Sequence, residues 1–360
     1  MKKKRISKYQ PFYVNKRYKN RNRMKDISSF KTYPHYPVML DEVINLCSPE
    51  KGGNFIDCTF GSGGYTNAIL SFSGTNVISL DRDTDSLNYA KETKTNYKDR
   101  FTFYNKKFSD LDKVIRKDFK ADFIIFDLGM SSMQIFNLER GFSFNAKGDI
   151  DMRMGLNSFS AQEVLNNCDL NTLKNILKYL GDEKDNSRIA QNIINERKKT
   201  PIKSVQQLVK IIEKSKKKDF KKKINISTKT FQAIRIFVNK EITELINGLI
   251  NATKFLKKGG KLIVVSFHSL EDKIVKFYFI NYSKNKSRGS RYYPETENNE
   301  ILFENYKNLI IKPKENEIKE NSPSRSAKLR YAVRNKDKFF YPEELKKRFE
   351  HYLKIESDYV

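Results

Sequence analysis

The residues best suited to chemistry lie in three short stretches, each at the end of an apolar run. The first is Asp57-Cys-Thr-Phe-Gly-Ser-Gly-Gly64. It follows Phe55-Ile56 and reads as a strand running into a glycine turn, with a helix expected from about Tyr65 to Phe72. Gly takes φ > 0 cheaply and lets a ligand come close to the backbone. The helix behind the turn offers unpaired N–H groups, and Asp57 at the strand end is in reach of a ligand lying over the turn. The next apolar run, Thr75 to Leu80, ends in Asp81. An acid about 20 positions past a glycine turn is where nucleoside-binding sheets hold a ribose hydroxyl pair. Read purely structurally, the turn is an ordinary βα connection and Asp81 a helix cap, although Asp83 or Thr84 can cap as well. Thr66 stands where G-x-G-x-x-G would need its third glycine, and no G-x-x-x-x-G-K-[ST] occurs. An adenosine-containing ligand without a pyrophosphate fits best, which favours S-adenosylmethionine over NAD.

The other two stretches are Asp127-Leu-Gly-Met-Ser-Ser132 and Ser266-Phe-His-Ser-Leu-Glu-Asp272. His268 is a candidate proton acceptor, but a histidine bonded to its own loop or to Glu271 is the simpler reading. The remaining histidines, His35 and His351, are far away in sequence, so no metal site is expected. Cys47, Cys58 and Cys168 form no C-x-x-C, which suits a reduced cytosolic protein without structural zinc. Ser62 and Ser269 lack the G-x-S-x-G context of a hydrolase.

Strands and helices must alternate to bring these stretches together. Helices are expected at Leu40 to about Leu46 and at about Thr84–Thr95, and strands at about Phe101–Tyr104 and Ala121–Asp127. The unbroken run Phe123 to Phe126 suits a strand buried on both faces. From about Asn137 to Thr230 no strand is convincing, and Glu163–Asn167, Leu170–Leu180, Arg188–Arg197 and Val205–Ile212 read as helices. Val238, Ile242, Leu245, Leu249, Ala252 and Leu256 then step by four and three, which predicts one long amphipathic helix ended by Gly259-Gly260. Leu262–Phe267 is the expected fifth strand, followed by a helix over about Leu270–Ile280. Leu309–Lys312 and Ala327–Val333 are the expected final, antiparallel pair. The whole is an α/β chain: a doubly wound sheet of about seven strands with a helical insertion. The three loops meet at its carboxyl edge, where open α/β sheets bind ligands. The division expected is a disordered basic arm over 1–34, the sheet domain over 35–136 and 231–335, the insertion over 137–230, and a tail over 336–360.

Seventy Lys and Arg against 43 Asp and Glu leave a net charge of +27. An AT-rich genome would also inflate lysine, but the charge is clustered. Residues 1–34 carry 12 basic residues against Asp26, and Lys214–Lys229 carries eight against Asp219. Such clustering favours a polyanionic partner, most simply nucleic acid. No apolar run approaches the ~18 residues of a membrane span, and the basic start is not followed by the apolar stretch of a signal peptide. A cytoplasmic protein is expected.

Together with Glu139-Arg-Gly-Phe-Ser-Phe144, Asp151-Met-Arg-Met154, Thr230-Phe-Gln-Ala-Ile-Arg-Ile236 and Val238-Asn239, these three stretches resemble the bacterial ribosomal small-subunit methyltransferase H family. Six motifs occur in order between about His35 and Arg334. The resemblance implies a Rossmann-like class I sheet, S-adenosylmethionine as cofactor, and methylation of the exocyclic amine of a cytidine in the decoding centre of 16S rRNA, in free RNA or in the small subunit. It implies cofactor contacts from Gly63, Gly64, Tyr65, Asp81, Phe108, Asp127 and Gln134, with Phe108 flanking the adenine. Three positions depart from the family pattern: Tyr65 stands where His is frequent, Met133 replaces Pro, and Asn321-Ser-Pro-Ser-Arg-Ser-Ala-Lys-Leu-Arg330 displaces an Asn-Pro.

The implied chemistry needs an acceptor on a poorly nucleophilic amine and in-line alignment with a sulfonium methyl. Asp127 or its loop carbonyls are the candidate acceptor, and Ser131 or Ser132 would position the ring. Arg153 and Arg140 are candidates for phosphate contact, unless they pair with Glu139, Asp149 or Asp151. Two other readings stay open. A methyltransferase acting on DNA or a small amine would normally carry an Asn/Asp-Pro-Pro-Tyr loop after the fourth strand, which is absent. A non-catalytic RNA-binding protein would not need an intact glycine turn and Asp81.

Overall fold

The computed structural model describes residues 37–357 except 147, 217–224, 285–300 and 337. The basic arm and half of the Lys214–Lys229 run therefore lie outside the described residues. Six strands form one sheet: β1 Gly53–Asp57, β2 Thr75–Leu80, β3 Phe101–Tyr104, β4 Ala121–Asp127, β5 Leu256–Ser266 and β6 Lys328–Val333. Their order is β3-β2-β1-β4-β5-β6, parallel except for β6. The chain crosses over between β1 and β4, which pair through Phe55–Phe123, Ile56–Ile124 and Asp57–Ile125. Loops leaving these two strands diverge, and the crevice between them is the ligand position of doubly wound sheets.

Side-chain alternation decides which helices cover which face. Phe55, Val77, Ile125, Ile263 and Val265 pack with α1 (Leu40–Cys47), α2 (Gly64–Leu70) and α3 (Ser86–Tyr97). Ile56, Ile124, Phe126, Leu262 and Val264 face the opposite way. The short helices α4 (Leu111–Val114) and α5 (Ser132–Phe136) flank β4, and four helices follow: α6 (Ala161–Asn167), α7 (Leu170–Asn175, continued as a π-turn over Ile176–Leu180), α8 (Asn186–Arg197) and α9 (Val205–Ser215). Ser160 and Ser204 start α6 and α9 with capping boxes to Glu163 and Gln207. Apolar side chains of this segment, such as Val164, Leu177, Ile189 and Leu208, join one cluster with Phe126 and Val264 of the sheet.

The long amphipathic helix is not one helix. α10 (Thr228–Asn239) stops where Lys240 takes φ 49°, and α11 (Glu241–Phe255) starts directly after it. Asn239 explains the break. Its amide donates to Met152 O, and its oxygen accepts from Met154 N. That side chain is tied to the entry loop, and the chain turns beside it. Leu256 opens β5 instead of ending the helix, and Gly259 at φ 78° lies inside the strand. α12 (Ser269–Asn281) follows. Leu309–Lys312 forms no strand; its only pairing is a bridge between Ile311 and Leu329, so the sheet has six strands among the described residues. α13 (Glu315–Glu320) precedes β6. α14 (Glu343–Arg348) and α15 (Glu350–Ser357) give the expected tail defined structure.

Candidate active site

One cleft opens at the carboxyl edge of the sheet. It is lined by the β1 turn, Asp81 and Arg82 after β2, Phe108, the loop after β4, and Glu241, Glu244 and Leu245 of α11. Phe267, Glu271, Asn321 and Pro323 close one side. The three chemistry-bearing loops expected from the sequence thus meet.

The glycine turn is held from within. Asp57 does not reach the cleft: burial pushes its carboxyl up to about 6, and its oxygens accept from Thr59 N (3.1 Å) and Thr66 Oγ1 (2.7 Å). This corrects its expected approach to the ligand; the carboxylate braces the turn that the ligand would lie over. Gly63, at φ 87°, shapes the bend from behind, where a Cβ would strike Asn67 and the Phe60 ring. Gly64 and Tyr65 line the cleft. A Cβ on Gly64 would collide with Pro37, and the Tyr65 hydroxyl donates to Val38 O, so the segment entering α1 is packed directly over the turn.

Asp81 stands at the tip of β2 with both oxygens engaged by backbone: Oδ2 accepts from Gly61 N (2.7 Å) and Oδ1 from Asp83 N (2.8 Å). Burial raises its carboxyl to about 6. A syn or anti lone pair on each oxygen remains for a ligand hydroxyl. The Phe108 and Phe126 ring centroids lie 5.2 Å apart in an edge-to-face arrangement, and a Cβ on Gly248 would come within 2.5 Å of Phe108 Cδ2.

Asp127, like Arg82 and Glu244, carries an unsatisfied atom in the cleft. Its backbone N–H donates to Thr59 Oγ1 (2.7 Å), but its Oδ1 is buried and has no hydrogen-bond partner. Burial, then the charges of Asp57 and Glu271, push its carboxyl well above the ordinary carboxylate range. Ser131 caps α5 and exchanges bonds with Gln134, whose Nε2 donates to Asp83 Oδ2 (2.7 Å). Both residues line the cleft, and the Gln134 side-chain amide is committed to holding the loop to β2. Ser132 is the first residue of α5.

Arg153 lies away from the cleft lining in a bidentate pair with Asp151 (2.8 and 2.7 Å). Arg140 pairs with Asp83 (2.7 Å) and Asp85 (2.8 Å), partners the sequence did not suggest. Both arginines therefore lock the entry loop and have their charge matched internally.

His268 caps α12: its Nδ1 accepts from Glu271 N (3.4 Å), and its Nε2 lies 3.1 Å from Glu271 Oε1. Burial alone would raise Glu271, but His268, Phe267 N–H and Arg235 outweigh it and hold the carboxyl below its ordinary value. Among the described residues, Glu241, His268 and Glu271 form one cluster with metal-ligand chemistry. Arg235 donates to both oxygens of Glu241 (2.8 Å each) and already supplies positive charge there.

The acids of α11 were not anticipated, since an i, i+3 pair of glutamates on a helix reads as a solvated face. Only the packing of α11 against Phe108 brings them inward.

Residues 32–335 match the MraW methylase family. The chain belongs to that family. Relatives named ribosomal RNA small subunit methyltransferase H include one from Agrobacterium fabrum, 42% identical over 300 residues (83% of this chain, 87% of that protein). Another, from Rickettsia prowazekii, is 42% identical over 305 residues, covering 83% and 97%. Among solved structures, an rRNA methylase from Streptococcus thermophilus aligns over 81% of this chain and 96% of its own with a TM-score of 0.37 and 10% identity. The methylase takes S-adenosylmethionine as cofactor, which supplies an activated methyl group. The residues present fit it: a glycine turn without basic phosphate ligands, a β2-tip carboxylate for a ribose, and an aromatic face at Phe108. No helix among the described residues is long and apolar enough to cross a membrane.

Proposed function

We propose that this methylase modifies the exocyclic N4 amine of a cytidine in the decoding region of small-subunit ribosomal RNA. The observation that carries this reading is the buried, unpartnered Oδ1 of Asp127 in the cleft. Burial holds the Asp127 carboxyl well above its ordinary value, so it takes up a proton more readily than an exposed carboxylate, and its Oδ1 is an acceptor without a partner. That acceptor complements the exocyclic amine of cytosine, which donates. An N–H held by Asp127 orients the amine and gives the departing proton an acceptor, and such positioning and proton transfer are the main help an enzyme can offer this reaction. The names of the relatives support the RNA class, as does the net charge of +27.

Methylation at C5 would instead require a thiolate adding to C6. Cys58 touches the cleft, but burial and then Asp57 push its thiol well above its ordinary value. Cys168 is pushed up to about 12 and Cys47 higher, both by burial first. The test is digestion of methylated small-subunit RNA to nucleosides. N4-methylcytidine is expected, and Cys58→Ser should keep measurable activity. A 5-methylcytidine product would overturn the reading.

Since Arg140 and Arg153 are paired internally, phosphate contact falls to other basic groups, and the helical segment over 137–230 and the arm over 1–34 are the proposed grip. Phosphate contacts position RNA without reading sequence. Removing residues 1–34 should weaken RNA binding and flatten its salt dependence, with the modified position unchanged. Methylation at a different nucleotide by the truncated chain would refute that role.

A further inference from the structure

Three carboxylates face the cleft from α11 and α12: Glu241, Glu244 and Glu271. Two are engaged. Glu241 is held by Arg235 through both oxygens. Glu271 accepts from Phe267 N (2.8 Å) and His268 N (3.3 Å) on Oε2 and faces His268 Nε2 with Oε1. Glu244 differs. It is 7% exposed, and its Oε2 is buried with no hydrogen-bond partner. Lys107 lies 3.6 Å from the other oxygen, Oε1, too far for a good hydrogen bond. Arg82 is close enough to compensate the charge, yet its two terminal nitrogens donate elsewhere, to Asn239 O and Asn157 Oδ1, and its buried Nε makes no hydrogen bond to Glu244. The charge of Glu244 is thus balanced, while one strong acceptor atom is left without a donor. A buried polar atom in that condition calls for an explanation.

Its neighbours suggest one. Glu244 is one turn before Gly248 on α11, and Gly248 is the position that admits the Phe108 ring. Leu245 lies beside it, and Arg82 directly follows Asp81. An aromatic ring, an apolar side chain and a carboxylate with one unmet oxygen line one wall of the cleft. A purine carrying an exocyclic amine fits such a wall, and a purine carrying a carbonyl there does not.

We propose that Glu244 recognises the adenine ring of the cofactor by accepting a hydrogen bond from its 6-amino group. The proposal rests on the cofactor being S-adenosylmethionine with Phe108 along the adenine. It adds a base-reading contact that selects adenosine among nucleosides, whereas Asp81 would accept any ribose.

Calorimetric titration of the full chain with S-adenosylhomocysteine and with its 6-oxo analogue, S-inosylhomocysteine, tests it. The full chain should prefer the amine by about tenfold or more, the scale of one charge-assisted hydrogen bond. Glu244→Gln can turn its amide to face either group, so the preference should collapse toward one. Phe108→Ala should weaken both ligands alike, as loss of stacking would. Equal affinity of the full chain for the two ligands overturns the proposal whether or not E244Q folds, and so does an unchanged ratio in a folded E244Q. If S-adenosylhomocysteine fails to bind at all, the cofactor site itself is wrong, and Glu244's role with it.

Discussion

The two walls of the cleft are built on opposite terms. On the β1–β2 wall, the oxygens of Asp57 and Asp81 are met by N–H or O–H groups of the same turn. On the β4–α11 wall, Asp127 Oδ1 and Glu244 Oε2 are equally buried and meet nothing. Burial is therefore not what separates the walls; satisfaction is. The carboxylates of the first wall are complete by themselves and hold a shape. The second carries an unmet cost of about 1–3 kcal/mol per orphaned atom, which a correctly placed donor would relieve. Natural proteins break local rules where they bind or react, and here the unmet carboxylate oxygens of the cleft fall on the β4–α11 wall, with Arg82 Nε the unmet donor on the other.

The sharpest way to break the contrast is Asp127→Asn. If Oδ1 awaits the substrate amine, single-turnover methylation should fall by about 10²–10⁴ while folding and cofactor affinity largely persist. An unchanged rate would make the orphan a structural accident. Next in size is Asp81→Ala. It removes the acceptor for Gly61 N as well as the proposed ribose contact, so S-adenosylmethionine affinity should drop about ten- to a hundredfold. Calorimetry showing no loss would end the ribose assignment. Gly248→Ala should cost about 1–3 kcal/mol of stability by overpacking, because its Cβ would sit 2.5 Å from the Phe108 ring. Cofactor binding should weaken with it; a variant that melts lower but binds normally would detach Phe108 from the adenine.

The smallest effect concerns what lies beneath the α11 wall. Glu356 of α15 is buried under the start of α11, accepting from Ile242 N (3.0 Å), Thr243 N (2.8 Å) and Thr243 Oγ1 (2.6 Å). Burial raises its carboxyl from 4.5 to about 8. The folded state then holds a proton that the unfolded state has released between those values. Stability from this group is full below about 4.5 and is lost as pH rises through 8. Asp57 and Asp81, raised to about 6, add the same sign over a narrower range. Denaturant titrations from pH 5 to 9 should show stability declining, and Glu356→Gln should make the decline shallower. An identical slope in that variant would show that Glu356 is ionised throughout.

Local pattern was enough for some of this protein and not for the rest. The run Phe123 to Phe126, the glycine turn and the acid at the end of the second strand announce themselves because strand burial and positive φ are demands on neighbouring residues. The ends of β1, β4 and β5 then had to share one edge, since parallel strands joined by crossovers put their carboxyl ends on one side. What no window of sequence contains is a contact across the chain. The stripe from Val238 to Leu256 keeps its helical period straight through Lys240, and only the bonds from Asn239 to Met152 and Met154 reveal a break there. Arg140 meets Asp83 and Asp85 across more than 50 residues, so a search among its neighbours in sequence chose the wrong acids. Glu244 reads as a solvated helix residue until α11 is laid against Phe108. Which oxygens are satisfied and which wait was decided by tertiary packing alone, because a carboxylate's partners are settled by what arrives beside it in space.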